Sequence, residues 1–191
     1  MISSISVPNY MGRMIRTFIS IDMPVTDTVK DAIGALRSVR NIRPVSVKQI
    51  HITLSFLGDT DENRIPQLEK RLKDVFQGFG AYDITVKGVG TFPNDRNPRV
   101  VWMGIDDNER LMLAADNVRS VLDDMNLNYD GKRFSPHITI GRVNGKTDVR
   151  DFLNTYRDSI FSKFNCKEIR IMGSELTPKG AIHTVLARIP L

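Results

Sequence analysis

Two short segments constrain this chain most: "HITLSFLGD" at residues 51–59 and "HITIGR" at residues 137–142. Both read His-Ile-Thr-aliphatic, and together they use two of the three histidines in 191 residues. Each is β-rich and predicts a strand. Side chains alternate between the faces of a strand. His51 and Thr53 therefore share one face, with Ile52, Leu54 and Phe56 on the other. In the second copy His137 and Thr139 point one way, Ile138 and Ile140 the other. Such a chain must bury two apolar strand faces and leave two polar ones accessible. Two similar halves facing each other meet that demand.

The rest of the pattern alternates strands with helices. "IRTFISI" (15–21) predicts a first strand, and Pro24 opens a helix with Val25, Val29, Ala32, Ile33 and Leu36 on one face. Pro44 breaks the chain before a strand at 50–56. A helix follows "GDTDEN", with Ile65, Leu68, Leu72, Val75 and Phe76 inward, and Pro66 must lie in its first turn. Strands at 82–92 and 99–105 flank "PNDRNP". A third helix runs from about Asn108 to Met125 through Leu111, Ala115, Val118 and Leu122. After "SPHITIGRV" comes a short helix near 147–158. The last two strands are "FNCKEIRIMGSEL" and "AIHTVLARI", joined by "TPKG". Residues 1–13 read as a loosely held polar extension before one domain spanning 14–191.

A net charge of +5 and a pI near 9.5 suit a polyanionic partner such as RNA. The single cysteine, Cys166, excludes an intrachain disulfide and points to a reducing, cytoplasmic compartment. It reads as a small buried strand residue. No apolar run approaches the ~18 residues of a membrane span, and the N-terminus lacks a secretory pattern. Monomer is the default.

One imidazole beside one hydroxyl makes a poor catalyst, whereas two of each across a cleft suit phosphodiesters. A neutral imidazole can take a proton from a nucleophile and an imidazolium can give one to a leaving oxygen. Threonine hydroxyls can donate to the non-bridging oxygens, where charge accumulates. HxT supplies one metal ligand per strand, and no HxxxH, HExxH, DxD or cysteine cluster adds others, so no metal or other cofactor is expected. No GxSxG marks a serine nucleophile.

These features resemble the 2H phosphoesterases, a family named for paired HxTx motifs. Within it the chain is most similar to the bacterial and archaeal RNA 2′,3′-cyclic phosphodiesterases, once described as 2′-5′ RNA ligases. The likeness runs from "RTFISIDMP" through "HITLSFLGD", "TFPNDRNPRVVWMGI" and "SPHITIGRV" to "SELTPKGAIHTVLARIPL". It implies a bilobal α+β fold with two pseudo-symmetric antiparallel sheets flanking a central cleft and helices outside. It also implies metal-independent hydrolysis of an RNA 2′,3′-cyclic phosphate end, tRNA halves among the candidates, or of a nucleoside 2′,3′-cyclic phosphate, to a 2′-phosphate. His51 would be the proton donor and His137 the proton acceptor, with Thr53, Thr139 and Arg142 holding phosphate. End joining by the reverse chemistry, and phosphate binding without turnover, remain open alternatives.

The residues themselves leave the acid and base assignment open, because the cleft is pseudo-symmetric. Arg142 would disfavour protonation of His137. Five residues from His137, it needs a bend at Gly141 to reach the cleft, and the first copy has Leu57-Gly58 near that offset. His183 is expected to be structural or peripheral, and Trp102 and Phe92 to be core rather than base-stacking platforms. Arg99, Lys132 and Arg133 fit an RNA path or a solvated face equally well.

Overall fold

Thirteen segments of the computed structural model carry the fold, which is described over residues 12–106, 109–178 and 180–191. Most of the expected N-terminal extension, and the expected helix start at Asn108, lie outside the described residues. Strand β1 (Met14–Asp22) leads into helix α1 (Asp27–Leu36), then β2 (Ile42–Pro44), β3 (His51–Asp61) and α2 (Ile65–Phe76). There follow β4 (Tyr82–Phe92), β5 (Val100–Ile105), α3 (Glu109–Asp124), β6 (His137–Val143) and α4 (Arg150–Tyr156). The chain ends with β7 (Ile160–Cys166), β8 (Glu168–Thr177) and β9 (Gly180–Pro190).

The strands form two antiparallel sheets, ordered β3-β1-β8-β9 and β2-β6-β5-β4-β7. The expected α+β architecture of two sheets, each carrying one His-Ile-Thr strand, is therefore what the chain adopts. A continuous apolar core joins both sheets to the helices. Ile19, Ile52 and Leu54 enter it from one sheet, Met103, Ile138 and Ile140 from the other, and Leu36, Leu72 and Leu122 from helices. Truncating any one of these large side chains to Ala should cost about 2–5 kcal/mol.

Several local expectations are corrected by capping and register. Helix α1 begins after Thr26, whose hydroxyl accepts from the Val29 amide at 3.2 Å and donates to the Phe161 carbonyl at 2.6 Å. Val25 thus precedes the helix and is exposed. The buried stripe of α2 runs Ile65, Leu68, Leu72, Phe76, leaving Val75 exposed on its flank. Pro66 does lie in the first turn. Pro44 ends an edge strand that the sequence reading missed, and an edge position costs no ladder hydrogen bond.

"FNCKEIRIMGSEL", expected to be one strand, is divided between the sheets. Cys166 pairs with Tyr82 in one, and Glu168 with Pro190 in the other. Phe164 and Cys166 sit at even positions, Ile169 and Ile171 at odd ones, and the chain changes sheets at this slip of parity around Lys167. Cys166 is buried, as expected, and burial raises its thiol pKa.

Candidate active site

The two motif strands are built alike down to an irregularity. In β3, Ser20 of β1 pairs with Thr53 and Ile19 with Ser55, so Leu54 is an extra residue. In β6, Trp102 of β5 pairs with Thr139 and Val101 with Gly141, so Ile140 is extra. Both are β-bulges at the aliphatic residue after the threonine, and both bulged side chains are buried. A bulge reverses which face the following residues occupy. Phe56, expected in the core, is therefore 52% exposed and lines the cleft. Arg142 reaches the same cleft by the same means. Phe56 and Arg142 each stand five residues after their histidine, so Phe56, not Leu57-Gly58, is the first-half counterpart of Arg142.

The cleft encloses about 830 Å³, and His51, Thr53, His137, Thr139 and Arg142 all line it. Both imidazoles are pinned identically. His51 Nδ1 lies 2.7 Å from the Gln49 carbonyl, and His137 Nδ1 lies 2.7 Å from the Ser135 carbonyl. A carbonyl only accepts, so the proton sits on Nδ1 in the neutral ring and Nε2 is left to meet a substrate.

The surroundings of the rings differ. His51 stacks on Phe18, with ring centres 4.8 Å apart, and meets the edge of His183 at 5.5 Å. Burial lowers the His51 pKa to about 4; the Gln49 hydrogen bond and the Asp22 charge oppose this, and His183 adds to it. His137 instead meets the edge of Phe92 at 5.0 Å. Arg170, bonded to Asp22 at 2.9 Å and to Glu168 at 2.7 Å, fixes the acid beside His51 at its strand end.

His183 is not peripheral. It lies 5.0 Å from Phe18, its ring lines the cleft, and burial lowers its pKa. Register explains this: β9 pairs His183 with Ser174, which pairs with Arg16 of β1, all on the cleft side. Phe92 is only half-buried and walls a second cavity of about 620 Å³, where Arg99, Lys132 and Arg133 also stand. That cavity shares Thr53, Phe56 and His137 with the first. Trp102 packs 5.3 Å from Phe92, flat over Gly90, where a Cβ would come within 2.3 Å of the indole. Among the described residues, no group of three His, Cys, Asp or Glu side chains is placed to hold a metal, and no helix is long and apolar enough to cross a membrane.

Two antiparallel sheets presenting paired His-Ile-Thr strands to one cleft define the 2H class of phosphoesterases. The chain belongs to the 2′-5′ RNA ligase superfamily, whose family model matches residues 25–177. It is 34% identical to an RNA 2′,3′-cyclic phosphodiesterase of Archaeoglobus fulgidus, over 88% of this chain and 96% of that one. It is 35% identical to the Thermotoga maritima protein of the same name, over 90% and 92%. Among solved structures, E. coli LigT complexed with 3′-AMP shares the fold with a TM-score of 0.73 at 22% identity, over 93% of this chain and 98% of LigT.

Proposed function

We propose that this protein hydrolyses 2′,3′-cyclic phosphate ends of RNA to 2′-phosphomonoesters, using His51 as proton donor and His137 as proton acceptor. The observation that carries the reading is the paired pinning of the two imidazoles by the carbonyls of Gln49 and Ser135 in one cleft. Relatives at 34% and 35% identity bear the name of this activity. In the reaction His137 Nε2 removes a proton from water as its oxygen bonds to phosphorus. The bond from phosphorus to the ribose 3′ oxygen breaks, and His51 Nε2 delivers a proton to that oxygen. Thr53 and Thr139 hydroxyls and the Arg142 guanidinium hold the non-bridging oxygens as charge builds.

Burial keeps His51 neutral in the free protein, so its donor role depends on the substrate anion, which raises a neighbouring imidazole's pKa by about 1–3 units. A leaving group that needs no proton separates the roles. With a nitrophenyl phosphodiester, His51→Ala should recover most of its lost rate and His137→Ala should not. The opposite rescue reverses the assignment. Appearance of a 3′-phosphate from the cyclic substrate would overturn the regiochemistry. Activity should persist in excess EDTA, since two imidazoles and two hydroxyls need no Lewis acid; loss restored by a divalent cation refutes that part.

RNA ends, tRNA halves among them, are the proposed substrates, acted on by a cytoplasmic monomer. The lone buried cysteine and the basic charge support the compartment and the polyanion.

A further inference from the structure

Beyond the histidines the cleft continues into an arm rich in cations. Arg43 of β2 is the direct cross-strand neighbour of Arg142 of β6, so both side chains rise from the same face of the sheet. Like charges in that position repel and destabilise a sheet. Arg37, at the end of α1, and Arg16, on the opposing sheet, line the same cleft. All four arginines are exposed, and no carboxylate lines this cleft among the described residues. The second cavity differs, since Asp130 stands there among its cations. The Arg43 guanidinium extends across to the turn between β8 and β9, with Nη2 3.7 Å from where a Cβ would stand on Gly180. Nearby, the Gln49 side-chain amide donates to the Ala181 carbonyl, tying the same turn to the segment before β3.

The reaction needs one phosphate held by the threonines and Arg142. Three further arginines in the same cleft exceed that need. A second phosphate, one nucleoside away, would bring negative charge among these guanidiniums and form charge-assisted bonds to them. We propose that Arg43, with Arg37 and Arg16, forms a second phosphate subsite that receives the 5′-phosphate of the terminal nucleotide, so that the cleft recognises a bisphosphorylated end. The subsite rests on the hydrolase reading for the identity of its ligand, and binding tests it without turnover.

Titration calorimetry would compare a nucleoside 2′,5′-bisphosphate with the matching 2′-monophosphate on the intact protein. The wild type should bind the bisphosphate about tenfold more tightly, the size of one or two charge-assisted bonds. Arg43→Ala should bring that ratio close to one, and Arg37→Ala or Arg16→Ala should reduce it. Arg40→Ala removes the same charge outside the cleft and should leave the ratio intact. A wild-type ratio near one overturns the subsite, as does a ratio that survives Arg43→Ala or falls equally with Arg40→Ala. Turnover of nucleoside 2′,3′-cyclic phosphate with and without a 5′-phosphate is the separate arm. Preferential bisphosphate binding without hydrolysis of either compound would retain the subsite and refute the hydrolase reading. Hydrolysis of both with no binding preference would do the reverse.

Discussion

Strands β3 and β6 show what the chain keeps constant between its two halves and what it varies. Held constant are the histidine, the threonine two residues on, the bulge after it, and the carbonyl two residues before the histidine that orients its ring. What differs is the fifth residue after each histidine, Phe56 against Arg142, and the packing around each ring. The β3 ring sits on Phe18 and beside His183 in a site that disfavours charge. The β6 ring meets the Phe92 ring edge-on, and a guanidinium follows it on the strand. The second strand is also braced by β2, whereas β3 is an edge strand, with the Asp130 amide donating to the Phe56 carbonyl at 2.8 Å. Symmetry in the shared features presents two imidazoles to one cleft in the same orientation, as the proposed pair of proton-transfer groups requires. Asymmetry in the others gives each group its own chemistry.

The largest expected effect tests the shared part. His51→Ala and His137→Ala should each lower turnover of a cyclic phosphate by roughly 10²- to 10⁴-fold, the usual contribution of a general acid or base. The double variant should lose far less than the product of the two, because the groups act as a unit. Circular dichroism should remain native for all three. Near-full activity in either single variant would mean that the two halves do not work as a pair.

A thermodynamic prediction separates the halves next. The His51 pKa is depressed from 6.5 to about 4. The unfolded chain therefore binds the proton before the native one does. Stability from this site is full above pH 6.5 and is lost as pH falls from 6.5 towards 4. The loss is no more than about 3 kcal/mol, with the ring's partial exposure reducing it. Denaturant unfolding at pH 7 and pH 4, for wild type and His51→Gln, measures it. The variant should lose less stability on acidification, whereas equal losses would show that burial does not depress the protonation of His51.

The motif pair and the two-sheet arrangement were legible because the period-2 pattern and the paired residue types lie in the sequence itself. Where Phe56 points was not. A bulge is a property of the pairing between strands, and Leu54 looks like any other inward aliphatic until its partner strand skips it. The same holds for Arg142, whose odd offset looked like an obstacle until Ile140 proved to be the residue skipped. His183 and Arg43 reach the cleft through register with strands far away in sequence, so no local spacing announces them. The change of sheet at Lys167 did leave a local mark in the parity of Phe164 and Cys166 against Ile169 and Ile171, but Met172 and Leu176, at even positions, blur it.

A smaller effect tests the varied position. If Arg142 holds phosphate as proposed, Arg142→Ala removes charge-assisted bonds and should lower kcat/KM about 10- to 100-fold. Phe56→Ala removes only aromatic contact at the equivalent place and should cost less than about tenfold. Steady-state kinetics on one cyclic nucleotide decides the order. If Phe56→Ala is the more damaging, the pseudo-equivalent positions divide the work in a way that phosphate binding does not explain.

The smallest effect concerns His183, which stands beside the His51 ring and, among the described residues, has no histidine counterpart beside the His137 ring. The rate depends on the form of the pair that carries one proton, so kcat/KM falls at low pH when both rings become charged. Burial depresses the His51 pKa to about 4, so protonation of that ring should place the low limb near pH 4. Bound phosphate favours the imidazolium, so the corresponding limb in kcat should stand at higher pH than in kcat/KM. His183 contributes to the depression as a neighbouring charge, after the larger effect of burial. Replacing it with Phe keeps an aromatic ring against Phe18 and removes that charge. The low limb of kcat/KM should then move up by less than about one pH unit, since only a secondary contribution is withdrawn. The same replacement should leave the high limb in place, because the ring contacts of His183 are to Phe18 and His51 and not to His137. Movement of the high limb instead, or of both limbs together, would mean that His183 acts on the cleft as a whole and that the asymmetry between the two histidines arises elsewhere.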